Sequence, residues 1–377
     1  EDFSARDNIT CFSVSRTFSQ GAKSESFGKN WICPLDTRII RARPADIPDC
    51  IARLDEIIKL EKEIIEKAGS YNSKYGSRKR SSEIDAASSK AKTDKENYEK
   101  FKALILELQE DNRRIDELNR YAAYGAFSSK KNFFGSKSQL YFVDEKGHSF
   151  LFYYGGGGEW KACDKLTAKK IKIFGLKANG SISDDESCEG GYKVLFEKGN
   201  QTFYSKYGIL KRKTDKNGNI TEFNLLPKSD GSIQLPTKEI LTLKRNAKGF
   251  IEEISGAVSG TAKYIYWENS LAQVSDNKEI VVGYEYDSQG LLTRIKKADG
   301  KFVSLSYEYN SLLSKNVCVS VTDEENNQEF FTYKPDQRET LHKTFYGGTE
   351  IFRYDERGFP VYKKCDNGDE IFLSIDD

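Results

Sequence analysis

Imidazole, thiol and carboxylate chemistry has little to start from in this chain. Two histidines, His148 and His342, are all that 377 residues contain, and they stand far apart in sequence. His148 falls in a turn-like Lys146-Gly147-His148 and His342 in a strand-like stretch, each without the second ligand that a metal site needs. Seven cysteines (Cys11, Cys33, Cys50, Cys163, Cys188, Cys318, Cys365) lie at irregular spacings with no Cys-x-x-Cys. Zinc ribbons and dithiol redox motifs are therefore unsupported, and buried free thiols are expected. No local motif turns Cys163 and His148 into a nucleophile and base. The run Gly155–Gly158 lacks the Gly-Lys-Ser/Thr and the helix of a phosphate loop, and reads as a flexible connector between hairpins. Asp215-Lys216-Asn217-Gly218-Asn219 has some calcium-loop residue types but no distal Glu, so turn chemistry accounts for it better. No catalytic residue, cofactor or metal is expected: the chain reads as a non-enzyme.

What does recur is a structural motif. Tyr284-Glu285-Tyr286-Asp287-Ser288-Gln289-Gly290-Leu291 matches Phe352-Arg353-Tyr354-Asp355-Glu356-Arg357-Gly358-Phe359, as aromatic-x-Tyr-Asp-x-x-Gly followed by an apolar residue. Weaker copies are Tyr264-Ile265-Tyr266, Tyr307-Glu308-Tyr309-Asn310 and Phe331-Thr332-Tyr333. The second aromatic falls at 266, 286, 309, 333 and 354, in steps of 20, 23, 24 and 21 residues. Asp215 to Gly218, and Asn246 to Gly249 upstream, have the same form. Alternating Tyr-x-Tyr places both rings on one face of a strand. The Asp is expected to accept from turn amides, and the Gly three residues later to supply a positive φ. A period of about 20 residues is one hairpin per repeat, each covering its neighbour.

The elements that carry these motifs divide into four stretches. Residues 1–45 alternate apolar and polar side chains and suggest two or three strands. Residues 46–123 change to helical spacing: Ile47, Ile51, Leu54, Ile58 and Ile65 share one face, and Phe101, Leu104, Ile105, Leu108, Ile115 and Leu118 another. Gly69–Ser82 is polar and reads as the loop of a helical hairpin, with Arg78, Lys79 and Arg80 as a basic tip that could bind a partner. Residues 124–190 return to hairpins with glycine-rich loops, Asn179–Gly191 among the exposed ones. Residues 191–377 form the repeat array. Aromatic richness (21 Tyr, 23 Phe) with frequent Gly favours strands joined by tight turns. A net charge of +1, with no strongly basic segment, argues against nucleic acid as a partner. No apolar run approaches the roughly 18 residues of a membrane-spanning helix.

On these residues the chain resembles the RHS/YD-repeat family, which includes the shells of bacterial RHS and Tc-type toxins and the extracellular barrel of teneurins. The best matches are Tyr284–Ile295, Thr214–Phe223 and Phe352–Val361. Val14-Ser15-Arg16-Thr17-Phe18, then Phe27-Gly28-Lys29-Asn30-Trp31, look like the signature that precedes such arrays, carried by Arg16, Phe27, Gly28 and Trp31. The resemblance covers roughly 1–45 and 135–377. It implies a mainly β fold: antiparallel hairpins in a long, curved or spiralling sheet, a partial shell with an inserted α-helical hairpin. The core motif with paired aspartates for self-cleavage is missing, as is a toxin domain, and the array looks too short to close a cocoon. With no initiator Met or signal peptide, the chain is expected to be a processed portion of a larger protein. The implied function is a non-catalytic shell segment, secreted or at the cell surface, that helps enclose or present a toxin or effector. Its partners would be the rest of its own polypeptide, or a protein or glycan on a target cell. The alternative is a cell-surface adhesion or glycan-binding module that uses the β-array or the helical tip.

Overall fold

Period-2 alternation from Gln139 onward produces strands, and the turns between them are short enough to make each strand the partner of the next. A computed structural model describes residues 3–6, 11–19, 26–41, 47–75, 84–100, 102–103, 106, 139–163, 165–276, 279–354 and 360–372. Twenty-three antiparallel strands form one sheet from Arg38–Arg41 to Glu370–Phe372, in chain order and not closed into a barrel. The fold is thus mainly β. The strip winds back on itself once near its start: Arg38 bridges Ile209, and the Ile39 amide donates to the Gly208 carbonyl at 3.0 Å. Arg38–Arg41 therefore comes to rest beside the turn into Leu210–Thr214, the eighth strand of the sheet.

One turn design recurs. In Asp287–Leu291 the Asp287 amide donates to the Leu291 carbonyl and the Gly290 amide to the Asp287 carbonyl, each at 3.0 Å. Asp287 Oδ1 accepts from the Gln289 and Leu291 amides, and Gly290 takes φ +80°. Asp144, Asp215, Asn246 and Asp323 repeat this side-chain pattern, with Asn326 (φ 64°) in the glycine place of the last. The register shifts by one residue opposite Phe203/Tyr204, Lys244/Arg245, Ile265/Tyr266, Glu285/Tyr286 and Ser306/Tyr307, with the extra residue (Lys211, Glu252, Ala272, Thr293 and Val319) on the strand that follows the turn. Such a bulge bends the bulged strand and increases the local twist. Tyr266, Tyr286 and Tyr333 donate their hydroxyls to the carbonyls of Ile251, Leu271 and Cys318, in each case fifteen residues earlier.

The two tyrosines of the 302–310 strand differ in burial. Tyr307, at the register shift, is half-buried, whereas Tyr309 is 66% exposed. The strand runs on past that shift before it turns, which carries Tyr309 beyond the packed part.

Four expectations change. Helix Ile47–Tyr75 continues through Gly69, because extending a formed helix adds a hydrogen bond per residue and one glycine costs only about 1 kcal/mol. Gly155–Gly158 is not a loose connector: Gly156 pairs with Glu159, and Gly157 and Gly158, both at positive φ, make the two-residue turn of a hairpin. The segment 179–191 is only partly exposed, since Ser183 and Cys188 are buried and Leu176 bridges Ile182. The described residues of 1–45 contain five short strands rather than two or three. Arg38–Arg41 pairs directly with Gln139–Val143, and the helices 47–75 and 84–100 lie in the chain between them, with Lys102, past the second, ion-paired to Asp55 of the first. Arg78, Lys79 and Arg80 lie outside the described residues.

The core follows the winding. Phe142, Phe152, Trp160, Ile173, Val194 and Tyr204 are buried within the first turn, and Ile233, Leu241, Ile254, Tyr264 and Leu271 continue it.

Candidate functional site

The residues that the sequence singled out before the helical stretch converge on the array. Because strand direction alternates, the turns 205–209, 246–250, 268–269 and 287–291 all lie along one rim of the sheet. The segment 26–39 runs along that rim. The Ser26 carbonyl accepts from the Ile251 amide at 2.7 Å, the Lys29 amide donates to the Asn269 carbonyl at 2.9 Å, and Asn30 Nδ2 donates to the Gly290 carbonyl at 3.3 Å. Farther on, Ile39 meets Gly208, and Thr37 Oγ1 lies 2.5 Å from Tyr204 Oη. One short segment thus engages four turns of the same rim through main-chain and side-chain contacts.

Gly28 and Trp31 show why the signature has those residue types. A Cβ on Gly28 would stand 2.5 Å from the Asn269 carbonyl oxygen, and the residue has φ +81°, so both space and backbone exclude a side chain. Trp31 pairs with Phe18 through the Thr17–Phe18 and Trp31–Ile32 ladder, and its ring lies 4.9 Å from Tyr284, edge-on. Trp31 Nε1 donates to Tyr286 Oη at 2.9 Å, and that hydroxyl donates onward to the Leu271 carbonyl at 2.6 Å. Phe27 packs on Tyr264 with centroids 4.7 Å apart.

Arg16 sits in the middle. Its guanidinium carbon is 4.9 Å from the Trp31 ring, 5.3 Å from Tyr284, 5.4 Å from Phe27 and 5.6 Å from Tyr264, and Nη2 donates to Tyr284 Oη at 3.0 Å. Desolvated contacts of this kind are worth up to about 2 kcal/mol each. Burial pushes the Tyr286 and Tyr266 phenols well above the usual tyrosine range, so they remain neutral hydrogen-bonding groups. Burial likewise pushes the Cys33 thiol up, away from the reactive thiolate. The arrangement suits clamping rather than proton transfer.

The other candidates stay apart from this site. Asp215 and Gly218 shape an exposed turn; burial raises the Asp215 carboxyl, but Asn219 and the turn amides outweigh it and hold it below the usual range. Tyr307 faces inward with its phenol pushed by burial to about 12, and Phe352 lies under Lys363, 5.3 Å from the ring centroid. Tyr354 anchors its strand through its amide to the Arg338 carbonyl; Asp355 and Gly358 lie outside the described residues. His148 contacts Asp144 in its own turn at 3.0 Å. Among the described residues no group of three His, Cys, Asp or Glu could hold a metal, and no helix is long and apolar enough to cross a membrane.

Sequence reading missed Tyr204, Thr37 and Asn269. Tyr204 was within reach: Phe203-Tyr204-Ser205-Lys206-Tyr207-Gly208 is the repeat with Ser in place of Asp, and Ser205 Oγ accepts from the Tyr207 and Ile209 amides. Asn269 acts through its backbone carbonyl, which no side-chain pattern announces.

Residues 176–363 match the family model of the teneurin YD-shell. No curated protein matches the chain. Among solved structures, the crystal structure of TcdB2-TccC3-Cdc42 is similar at 12% identity, over 63% of this chain and 15% of that one, with a TM-score of 0.29. The Tc holotoxin pore of Photorhabdus luminescens is similar at 13% identity, over 61% of this chain and 14% of that one, with a TM-score of 0.28. The chain spans about 15% of the length of the first of these.

Proposed function

Since the chain belongs to the YD-shell proteins through residues 176–363, we propose that it is a non-catalytic wall segment that helps enclose or present a toxin or effector polypeptide. The observation that carries this reading is the seat of residues 26–39 on four rim turns, which fixes the curvature of the strip instead of leaving a flat sheet. A curved strip with tyrosines on its inner face is the form a container wall takes. In this reading the partner is another part of the same toxin assembly, and the setting is extracellular or at a cell surface.

Limited proteolysis of the native full-length polypeptide tests it. A protected fragment from outside these 377 residues, co-purifying with the β-array, is the expected result. Complete digestion of everything but the array would count against enclosure, and selective binding of the array to a glycan array would favour an adhesion module instead.

A further inference from the structure

Beyond the rim contacts, the strands 328–364 carry an ion chain on the face that continues the inner tyrosines. Phe331 pairs with His342, and His342 with Glu350, in register across three strands. His342 Nε2 lies 3.1 Å from Glu329 Oε2, and Nδ1 lies 3.2 Å from Glu350 Oε2. Glu350 Oε1 lies 2.7 Å from Lys363 Nζ on the fourth strand. The imidazole stacks on Phe331 with centroids 4.8 Å apart and planes 6° apart, and its side chain is 17% exposed.

We propose that Glu329, His342, Glu350 and Lys363 form a proton-operated clasp across four strands of the late array. An ionised carboxylate only accepts hydrogen bonds, and a neutral imidazole has one N–H. Both ring nitrogens face carboxylate oxygens, so both contacts are hydrogen bonds only when the ring carries two protons. Loss of one proton to solvent leaves a ring lone pair against a carboxylate oxygen, and the clasp opens on that side. The Phe331 stack fixes the ring plane, so the ring cannot turn away from either partner without losing that contact.

The neighbouring charges leave the clasp alone. Lys334, Glu339 and Arg353 pair with one another, and Lys364 pairs with Glu370, all at positions that alternate with the clasp residues and face the other side. Asp323 is taken up by its own turn amides and Asn327. Lys343 is exposed on the far face. Cys365 is the remaining titratable neighbour of Lys363, and it has no contact with the ring among the described residues. Lys363, and then His342, hold the Glu350 carboxyl below its usual range against the opposing effect of burial, which keeps it an acceptor for the ring.

The test is hydrogen exchange of the full chain between about pH 6 and about pH 8, the range of the imidazole switch. Protection factors across 328–364 are expected to fall about fivefold as pH rises in the wild type, and not to change in His342→Gln. Replacing the other histidine, His148→Gln, is expected to keep the wild-type response. An equal pH response in the wild type and His342→Gln overturns the proposal. If His342→Gln fails to fold, imidazole nitrogen NMR of the wild type decides. Two protonated nitrogens at about pH 6 support the clasp, and a single protonated nitrogen there overturns it.

Discussion

Before Leu292, inner side chains vanish from solvent: Ile233, Leu241, Leu243, Ile251, Ile254 and Leu271 are fully buried. After it, Val303, Leu305, Val321, Phe331 and Phe352, on the same face of the same sheet, are only half-buried. The turns, bulges and tyrosine-to-carbonyl bonds are alike on both sides, so the repeat itself does not decide how well the face is covered. Cover comes from residues 14–19 and 26–39, whose contacts along the array reach as far as Gly290 among the described residues. In place of cover, the later strands lean on cross-strand ion pairs such as Lys334–Glu339–Arg353 and Lys364–Glu370. Exposed pairs contribute about 0–1 kcal/mol each, far less than full burial of a large apolar side chain at about 1.5–3 kcal/mol. A hairpin repeat supplies geometry, and a separate segment supplies the cover that buries the inner face up to Leu292.

The largest expected effect is that of Trp31→Ala, which removes the ring between Phe18 and Tyr284 and the donor to the Tyr286 hydroxyl. Urea unfolding should show a loss of about 3–5 kcal/mol. Hydrogen exchange should place it at the 246–250, 268–269 and 287–291 turns, with 302–354 little changed. Equal deprotection of both regions would break the contrast and make the sheet one cooperative unit. Next, Gly28→Ala should cost about 1–2 kcal/mol in the same measurement, because φ +81° and the Asn269 carbonyl both resist a methyl. Tyr286→Phe should cost about 1–2 kcal/mol, since its hydroxyl both donates to Leu271 and accepts from Trp31. Tyr333→Phe, with one bond to the Cys318 carbonyl, should cost about 0.5–1 kcal/mol. Equal losses would mean that cover adds nothing to a hydroxyl bond.

The smallest effect is expected in acid. Arg353 and Lys334 hold Glu339 below its usual range, Lys363 does so for Glu350, and Lys364 for Glu370. Carboxyls lowered in the folded state add stability above the unfolded value of about 4.3, and that stability is lost as pH falls toward the folded value. Strands after Leu292 should therefore lose exchange protection first when pH is taken from about 5 to about 3. Simultaneous loss before Leu292 would count against the contrast.

The repeat was legible because its information is local. Tyr286, Asp287 and Gly290 lie within five residues and specify a bulge, a turn and a positive φ without outside help. The seat of Phe27-Gly28-x-x-Trp31 was not legible, since it depends on backbone carbonyls some 240 residues away in sequence. The different burial of Tyr307 and Tyr309 was not legible for a related reason: bulge position depends on where two strands fall into register, and one strand's sequence does not contain that. Gly155–Gly158 was misread because glycine suits a tight turn as well as a loose one, and the strand partners decide between them.

A strip that needs eight strands to come back beside its first has the girth of a small barrel, about 38 Å at roughly 4.8 Å per strand. At that girth side chains fill the bore, and Phe142, Phe152, Trp160, Val194 and Tyr204 are the filling. The first winding is thus a solid stopper. In the proposed shell reading that filled winding would close one end, and the half-buried inner face of the later strands is where an enclosed polypeptide would lie.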